Sequence, residues 1–317
     1  MLNSIYIEIT DACNLNCSFC PCGKSSPGPS DKSIAKSAPT NSGAHRTFMD
    51  STLFERCIQQ AALHTENVYF HILGEPTLHP GFVHYLKALE STPPKLNLTT
   101  NGSTIARVGK HLLQSGALRQ VNFSTHAYGE LGPDQAQAYL QDVLDFCQMA
   151  LAERPDLYLN LRLWNAGDFP DADRQRDWNR LMLAQVAQTF GLDGKDVLDP
   201  EHFCSRHKSF PVQGRLYLHQ DSRFEWPGLD ERREARDERY VQGTCHGLET
   251  HVGILHDGRV VPCCLDYQGQ ITLGNIQEQS LTEILKSPLA QNLREGFRKH
   301  ELRHPLCQNC SFCRRFK

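Results

Sequence analysis

Six short segments of this chain alternate between apolar and polar side chains: Ser4–Thr10, Val68–Leu73, Leu96–Asn101, Val121–His126, Leu157–Trp164 and Arg215–His219. A period of two is the mark of a strand. Stretches with helical spacing separate them, at roughly 50–64, 81–91, 104–115, 135–153 and 174–190. A strand-then-helix order predicts a parallel sheet with helices packed on it. Six repeats fall short of the eight of a closed (β/α)8 barrel. Parallel sheets covered on both sides are apolar on both faces. Here one face carries Ile5, Ile7, Ile9, Val68, Phe70, Ile72, Leu157, Leu159, Leu161 and Leu163. The other carries Tyr6, Glu8, Thr10, Tyr69, His71, Asn97, Asn122, Asn160 and Arg162. The pattern predicts an α/β fold, a partial (β/α)6 barrel whose helices cover the apolar face and whose polar face lines a wet lumen. An ordinary half-exposed sheet gives the same alternation and stays open.

With 317 residues, one large domain and a smaller one are expected. The 33 basic and 36 acidic residues nearly balance, so no overall pull toward polyanions exists. No run of about 18 apolar residues occurs. The first residues lack the basic start and apolar core of a signal peptide. The expectation is a cytoplasmic protein that does not enter a membrane. In that setting the 13 cysteines, mostly grouped near the two ends, read as metal ligands rather than disulfides. Cys57, Cys147 and Cys204 stand apart; the first two lie in helix-like stretches and suit a core.

Cys13, Cys17 and Cys20 follow the first strand in the run CNLNCSFC. Three thiolates so spaced can hold three irons of a [4Fe–4S] cubane and leave the fourth open for chemistry. A zinc knuckle is the alternative. The spacing, with Phe19 before the third cysteine, resembles the radical S-adenosylmethionine (SAM) superfamily. That resemblance implies that SAM chelates the open iron and is cleaved reductively to a 5′-deoxyadenosyl radical. It also implies a flavodoxin- or ferredoxin-type electron donor. Gly74 and Glu75, in ILGEPTLHP, resemble the family's glycine–glutamate motif, in which the carboxylate receives the SAM amino group; Leu73 stands where many relatives have a further glycine. By strand order, Asn101 and Ser124 are expected near the ribose, and Phe19 against the adenine. Each has an alternative as a turn or core residue. Arg162, inside a leucine-alternating strand, calls for an anionic partner and is expected at the SAM carboxylate.

Near the other end stand Cys245, then Cys263 and Cys264 in GRVVPCC, then Cys307, Cys310 and Cys313 in CQNCSFC. With LDYQG and LGNI, the Gly258-x4-Cys263 spacing resembles the SPASM/Twitch extension of radical SAM enzymes. The resemblance implies one auxiliary [4Fe–4S] cluster, held by Cys245, Cys263, Cys307 and Cys310. Cys313 could replace Cys307, and a zinc ribbon remains the alternative. Neighbours on a strand point opposite ways, so Cys264 is expected to leave the cluster, and it is the candidate catalytic thiol. The expected domains are a barrel at 1–219 with a flexible loop at 21–47, a charged linker at 220–244, and an auxiliary-cluster domain at 245–317. The expected activity is hydrogen abstraction from a C–H bond of a small polar substrate, dehydrogenation ahead of epimerisation. A strand starting at residue 4 leaves no room before it for a leader-binding domain, hence the small substrate. A peptide maturase, an RNA-modifying enzyme using Arg294, Arg298, Lys299, Arg303, Arg314 and Arg315, and a non-catalytic metal-binding module are the other readings.

Overall fold

A computed structural model describes residues 1–24, 47–192, 208–227 and 241–316. Its strands are β1 (Ser4–Ile7), β2 (Asn67–Tyr69), β3 (Lys95–Thr100), β4 (Leu118–Phe123), β5 (Tyr158–Ala166), β6 (Ser209–Gln213), β7 (Leu216–Ser222), β8 (His251–Ile254), β9 (Arg259–Val261) and β10 (Gly274–Asn275). Helices Ser51–Ala62, Phe82–Leu89, Ile105–Gln114, Pro133–Glu153 and Ala172–Phe190 alternate with the first five strands and with β7 as the sequence pattern predicts. The 21–47 loop lies outside the described residues except for the helical turn Pro21–Lys24 and the end at Thr47; so does most of the 220–244 stretch, and Cys204.

The chain forms two compact units, residues 1–94 with 224–317, and residues 95–223. In the first, β1 pairs in parallel with β2, Ile5 opposite Val68. On its other side β1 pairs in parallel with β8, Ser4 opposite His251 and Ile7 opposite Ile254. β9 and β10 then add as antiparallel neighbours. The cysteine-rich end therefore begins as a continuation of the β1 sheet, and the compact units cut the chain elsewhere than at 219 and 245. An uncovered β1 would present a row of unpaired backbone groups, which β8 satisfies.

In the second unit β3, β4, β5 and β7 are parallel neighbours, Val121 opposite Leu159 and Leu161 opposite Leu218. β6 adds antiparallel to β7 and has no counterpart in the sequence pattern. Pro211 within it removes a backbone donor, which hides the strand from pattern reading and confines it to an edge. Gly214, at φ +53°, makes the tight hairpin turn. β7 runs on to Ser222, three residues into the stretch expected as linker.

Within each unit the apolar face is the buried one. Ile5, Ile7, Ile9, Val68, Phe70, Leu159 and Leu161 are fully buried. Helix residues close over them: Phe54 meets Phe70 edge-on at 5.4 Å, and Phe123 meets Phe146 at 5.8 Å. Cys57 and Cys147 are fully buried within this packing, as core cysteines. The polar face of the second unit is tied together by its own hydrogen bonds. Asn122 accepts from Gln120 (2.7 Å) and Asn160 (3.0 Å) and donates to Leu98 O (3.2 Å). No helix among the described residues is long and apolar enough to cross a membrane.

Candidate functional site

β1 feeds directly into the first cysteine run, and local hydrogen bonds fix its path. Thr10 Oγ1 accepts from the Ala12 N–H (3.0 Å) and donates to Thr47 O (2.8 Å). The run then meets the turn after β2: the Glu75 N–H donates to Ala12 O at 2.7 Å. Gly74 has φ +73°, and a Cβ there would lie 2.3 Å from Thr10 O and 3.0 Å from Ala12 O. Only glycine permits this approach. The Cys20 N–H closes a turn on Cys17 O at 3.0 Å. Cys17 is buried, whereas Cys13, Phe19 and Cys20 are half-buried, so the turn is partly open. Cys22 lies beside it, its Sγ donating to Asp11 O at 3.7 Å. A hydrogen bond with Cys20 and burial hold the Cys22 thiol far above its ordinary range.

Glu75 is 1% exposed. Its Oε1 accepts from the Thr77 N–H (3.1 Å) and Thr77 Oγ1 (2.5 Å), capping the short turn Pro76–Leu78. The carboxylate thus also organises its own loop.

Asn101, Ser124 and Arg162 belong to the other unit, the first two just beyond the ends of β3 and β4 and Arg162 in the middle of β5. Asn101 Oδ1 accepts from the Ser103 N–H (2.9 Å) and Ser103 Oγ (2.7 Å), a turn-forming role. Half-buried Ser124 anchors through its N–H to Thr100 O at 2.9 Å. The Arg162 guanidinium lies 4.5 Å over the Trp164 ring and 3.5 Å from Thr99 Oγ1. An aromatic face thus supports the cation for which sequence reasoning sought an anion.

The second cysteine group is built on the β8–β9 hairpin and the chain end. A Cβ on Gly247 would lie 3.5 Å from Cys245 Sγ and 3.7 Å from Cys263 Cβ, so these two cysteines flank one point. The Gly247 N–H donates to Cys245 Sγ at 3.3 Å. Cys307 and Cys310 share a turn, the Cys310 N–H on Cys307 O at 3.2 Å. Burial, then the charges of Cys264, Cys245, Cys307 and Cys310, push the Cys263 thiol well up; Cys307 is raised by burial and then by Cys245 and Cys310. Cys313 donates to Cys310 O at 3.0 Å and is buried. Among the described residues no three His, Cys, Asp or Glu side chains converge to hold one metal ion. A cubane takes one thiolate per corner iron, so its ligands need not converge on a point. A group of thiols around a common space suits such a cluster.

Cys264 is half-buried and packs with Tyr6 and Tyr267 against Ile72, Leu255 and Val261. Tyr6 is on the polar face of β1, stacked on Tyr69 at 4.7 Å. Tyr267 meets Trp226 edge-on at 5.6 Å. Burial, then the charges of Cys20, Cys22 and Asp266, raise its phenol to about 12. Sequence reasoning missed it, since a tyrosine in a polar loop carries no periodic signal. It also missed His256, whose ring bonds Glu8 at 2.8 Å from 248 positions away.

A thiol loop pinned to a glycine–glutamate turn, with a second thiol group in the same compact unit, defines a cluster-bearing enzyme of the SAM-cleaving kind. Residues 7–165, half of the chain, match the Radical SAM superfamily, and residues 245–313 match the SPASM iron–sulfur cluster-binding domain. The chain belongs to the radical SAM superfamily. Its radical SAM region binds a [4Fe–4S] cluster and SAM, and its SPASM region binds auxiliary iron–sulfur.

A curated relative, the GTP 3′,8-cyclase of Alkaliphilus metalliredigens (strain QYMF), is 29% identical over 160 residues, 47% of this chain and 43% of that protein. The chain thus spans less than half the length of that relative. Among solved structures, BtrN in complex with AdoMet and 2-DOIA is similar over 98% of this chain and 93% of its own, at 15% identity and TM-score 0.50. Native anSMEcpe with AdoMet and the Cp18Cys peptide is similar over 98% and 87%, at 13% identity and TM-score 0.55. SuiB of Streptococcus suis bound to S-adenosylmethionine is similar over 93% and 68%, at 16% identity and TM-score 0.53. These likenesses show the fold, an unclosed α/β radical SAM barrel with a cysteine-rich C-terminal region.

Proposed function

We propose that this radical SAM enzyme dehydrogenates a small polar substrate, with Cys245, Cys263, Cys307 and Cys310 holding one auxiliary [4Fe–4S] cluster. When bound, the SAM-side cluster with SAM supplies a radical that removes a hydrogen atom from a C–H bond, and the auxiliary cluster supplies an electron acceptor. The observation that carries the reading is geometric: Cys245 and Cys263 flank one point at Gly247, and Cys307 and Cys310 share one turn. Four thiolates complete a cluster with no open iron, which suits electron transfer better than substrate chelation.

On this reading Cys13, Cys17 and Cys20 hold the SAM-side cluster, and Gly74 and Glu75 receive the SAM amino group. Phe19, Asn101, Ser124 and Arg162 position the remaining parts of SAM, and 245–317 is the auxiliary-cluster domain. Cys264, packed beside Tyr6 and Tyr267, is the residue that decides the outcome. A thiol facing substrate can return a hydrogen atom; a thiol kept in an apolar cluster leaves oxidation as the default. The RNA reading loses support because three of its six terminal basic residues have local carboxylate partners. Arg298 pairs with Glu249 (2.6 Å), Lys299 with Glu295 (2.6 Å) and Arg303 with Glu301 (2.7 Å).

The test is anaerobic turnover with SAM, a flavodoxin- or ferredoxin-type donor, and pools of metabolites (GTP included) or peptides, followed by mass spectrometry. A consumed small molecule yielding a product two hydrogens lighter, without solvent deuterium in deuterated water, supports the proposal. One deuterium at an inverted carbon, lost in Cys264→Ala, overturns dehydrogenation in favour of epimerisation. A consumed peptide overturns the substrate class.

A further inference from the structure

The polar face of β1 carries one carboxylate that the proposed function does not use. Glu8 is 1% exposed, and both its oxygens are engaged. Oε1 accepts from the Leu73 N–H at 3.1 Å. Oε2 accepts from His256 Nδ1 at 2.8 Å and from the His256 N–H at 3.4 Å. A carboxylate only accepts, so Nδ1 carries the proton in this pair. Burying a carboxylate is tolerable only with donors and a counter-charge, and Glu8 has three donors, one of them ionisable.

The place of these donors gives the pair its meaning. Leu73 immediately precedes Gly74 and Glu75, and the same turn is held on its other side by the Glu75 N–H on Ala12 O at 2.7 Å. Gly74 passes so close to Thr10 O that the turn has no slack on that side. His256 reaches Glu8 from the turn between β8 and β9, with 10% of its side chain exposed.

We propose that Glu8, held by His256, is a positioning residue that sets the Leu73–Glu75 turn for SAM. The inference rests on the reading that the SAM amino group is received at Gly74–Glu75. The charged groups around His256 favour its protonated form: burial lowers its pKa, but Glu8, Asp11 and Asp257 together raise it above the ordinary value. Arg259, on the same hairpin, is paired with Asp257 at 2.7 Å.

Glu8→Gln separates positioning from mere filling of space. The amide has one acceptor and one donor end. With its oxygen kept on the Leu73 N–H, its NH2 meets Nδ1 of His256. Protonated His256 then opposes donor to donor, whereas neutral His256 offers a lone pair. SAM affinity in Glu8→Gln should therefore improve as pH rises, which space-filling alone does not produce. His256→Asn keeps a side-chain N–H near the Nδ1 position and cannot titrate.

The experiment is equilibrium dialysis of labelled SAM against anaerobically reconstituted full-length enzyme between about pH 6 and 9, spanning the histidine range. Iron content is measured alongside for the wild type, Glu8→Gln, His256→Asn and Glu75→Gln. The expected result is Glu8→Gln about tenfold weaker at the acid end, the usual scale for a lost charged hydrogen bond, and recovering as pH rises. His256→Asn should stay near wild type, and all variants should keep their iron. Glu8→Gln equal to wild type at every pH, equally weak at every pH, or depleted in iron overturns the proposal. Glu75→Gln keeps the two readings apart. If it weakens SAM binding and Glu8→Gln does not, the positioning role alone fails. If Glu75→Gln binds SAM as the wild type does, the SAM-site reading fails and takes the positioning role with it.

Discussion

Gly74→Ala is the sharpest single test of how the SAM turn is built. Its backbone sits at φ +73°, a region that costs a side-chain-bearing residue about 1–2 kcal/mol. The new Cβ would lie 2.3 Å from Thr10 O, 2.9 Å from Asp11 C and 3.0 Å from Ala12 O. All three are backbone atoms of the chain entering the cysteine run, so no side chain can swing aside. Either that run or the turn must move, and the Glu75 N–H bond to Ala12 O is the contact between them. Losing it adds about 1 kcal/mol, for a total of about 2–3 kcal/mol borne by the cluster loop. The assay is iron and sulfide content with SAM affinity on anaerobically reconstituted protein, beside Gly116→Ala, where a Cβ meets nothing within 4 Å. Gly74→Ala should lose the SAM-side share of iron or bind SAM at least tenfold more weakly, while Gly116→Ala does neither. Full iron and unchanged SAM affinity in Gly74→Ala would refute the argument that this turn and the cysteine loop are rigidly joined.

Replacing Cys13, Cys17 and Cys20 together with Ala should remove about four of eight irons and abolish 5′-deoxyadenosine formation, measured by iron assay and chromatography; Cys22→Ala should do neither. Arg162→Ala should weaken SAM binding by about 1–3 kcal/mol with both clusters retained, and unchanged affinity would show that the arginine takes no part in binding SAM. Stability should fall on acidification from about pH 6.5 to about pH 4, because burial lowers His126 and His251 to about 4 and the unfolded chain takes up protons first. Each contributes at most about 3 kcal/mol; His256, raised instead, contributes below its unfolded pKa and loses its share as pH climbs through the raised value. Denaturant midpoints from about pH 4 to about pH 9 check both signs, and His251→Gln should flatten the acid side.

The parts legible in the sequence are those governed by local rules. Period-two alternation marks β5, whose Leu159, Leu161 and Leu163 are buried while Asn160 and Arg162 are not. Gly74 is legible through its motif, and the structure adds the reason, a backbone approach that no Cβ survives. The C-terminal cysteines declare themselves by spacing. Contacts between distant segments are not legible. Glu8 reads as one polar residue among several on an alternating strand, and His256 as part of a plain HDG hairpin turn; nothing local says that they bond across 248 positions. Arg162 shows a further contact that charge arithmetic does not announce, an aromatic face two residues on, at Trp164. Which edge the extension joins is not legible for a like reason, since β8 is too short to announce it.

That last point makes a strong prediction about truncation. Treating 245–317 as a removable module implies that residues 1–244 fold alone, and the contacts of the first unit argue otherwise. β8 covers β1 along all four of its residues, so removal bares an edge of unpaired backbone groups. Ile72 loses Leu255 and Val261 from its apolar cluster. The helix Ser51–Ala62 loses the Leu281 N–H on Gln60 Oε1 (3.1 Å), and His64, just beyond it, loses Thr282 (2.9 Å). Glu8 is left buried without its histidine, a loss of about 3–5 kcal/mol when one partner of a buried pair is removed. Against a total stability of about 5–15 kcal/mol, these losses together exceed what the remaining chain can absorb. The truncated protein should aggregate or form dimers through β1 on size-exclusion chromatography and fail to keep SAM-side iron. A monomeric 1–244 fragment with its iron and wild-type SAM affinity would show instead that the extension is an independent domain, and that the pairing of β1 with β8 is incidental to the SAM site.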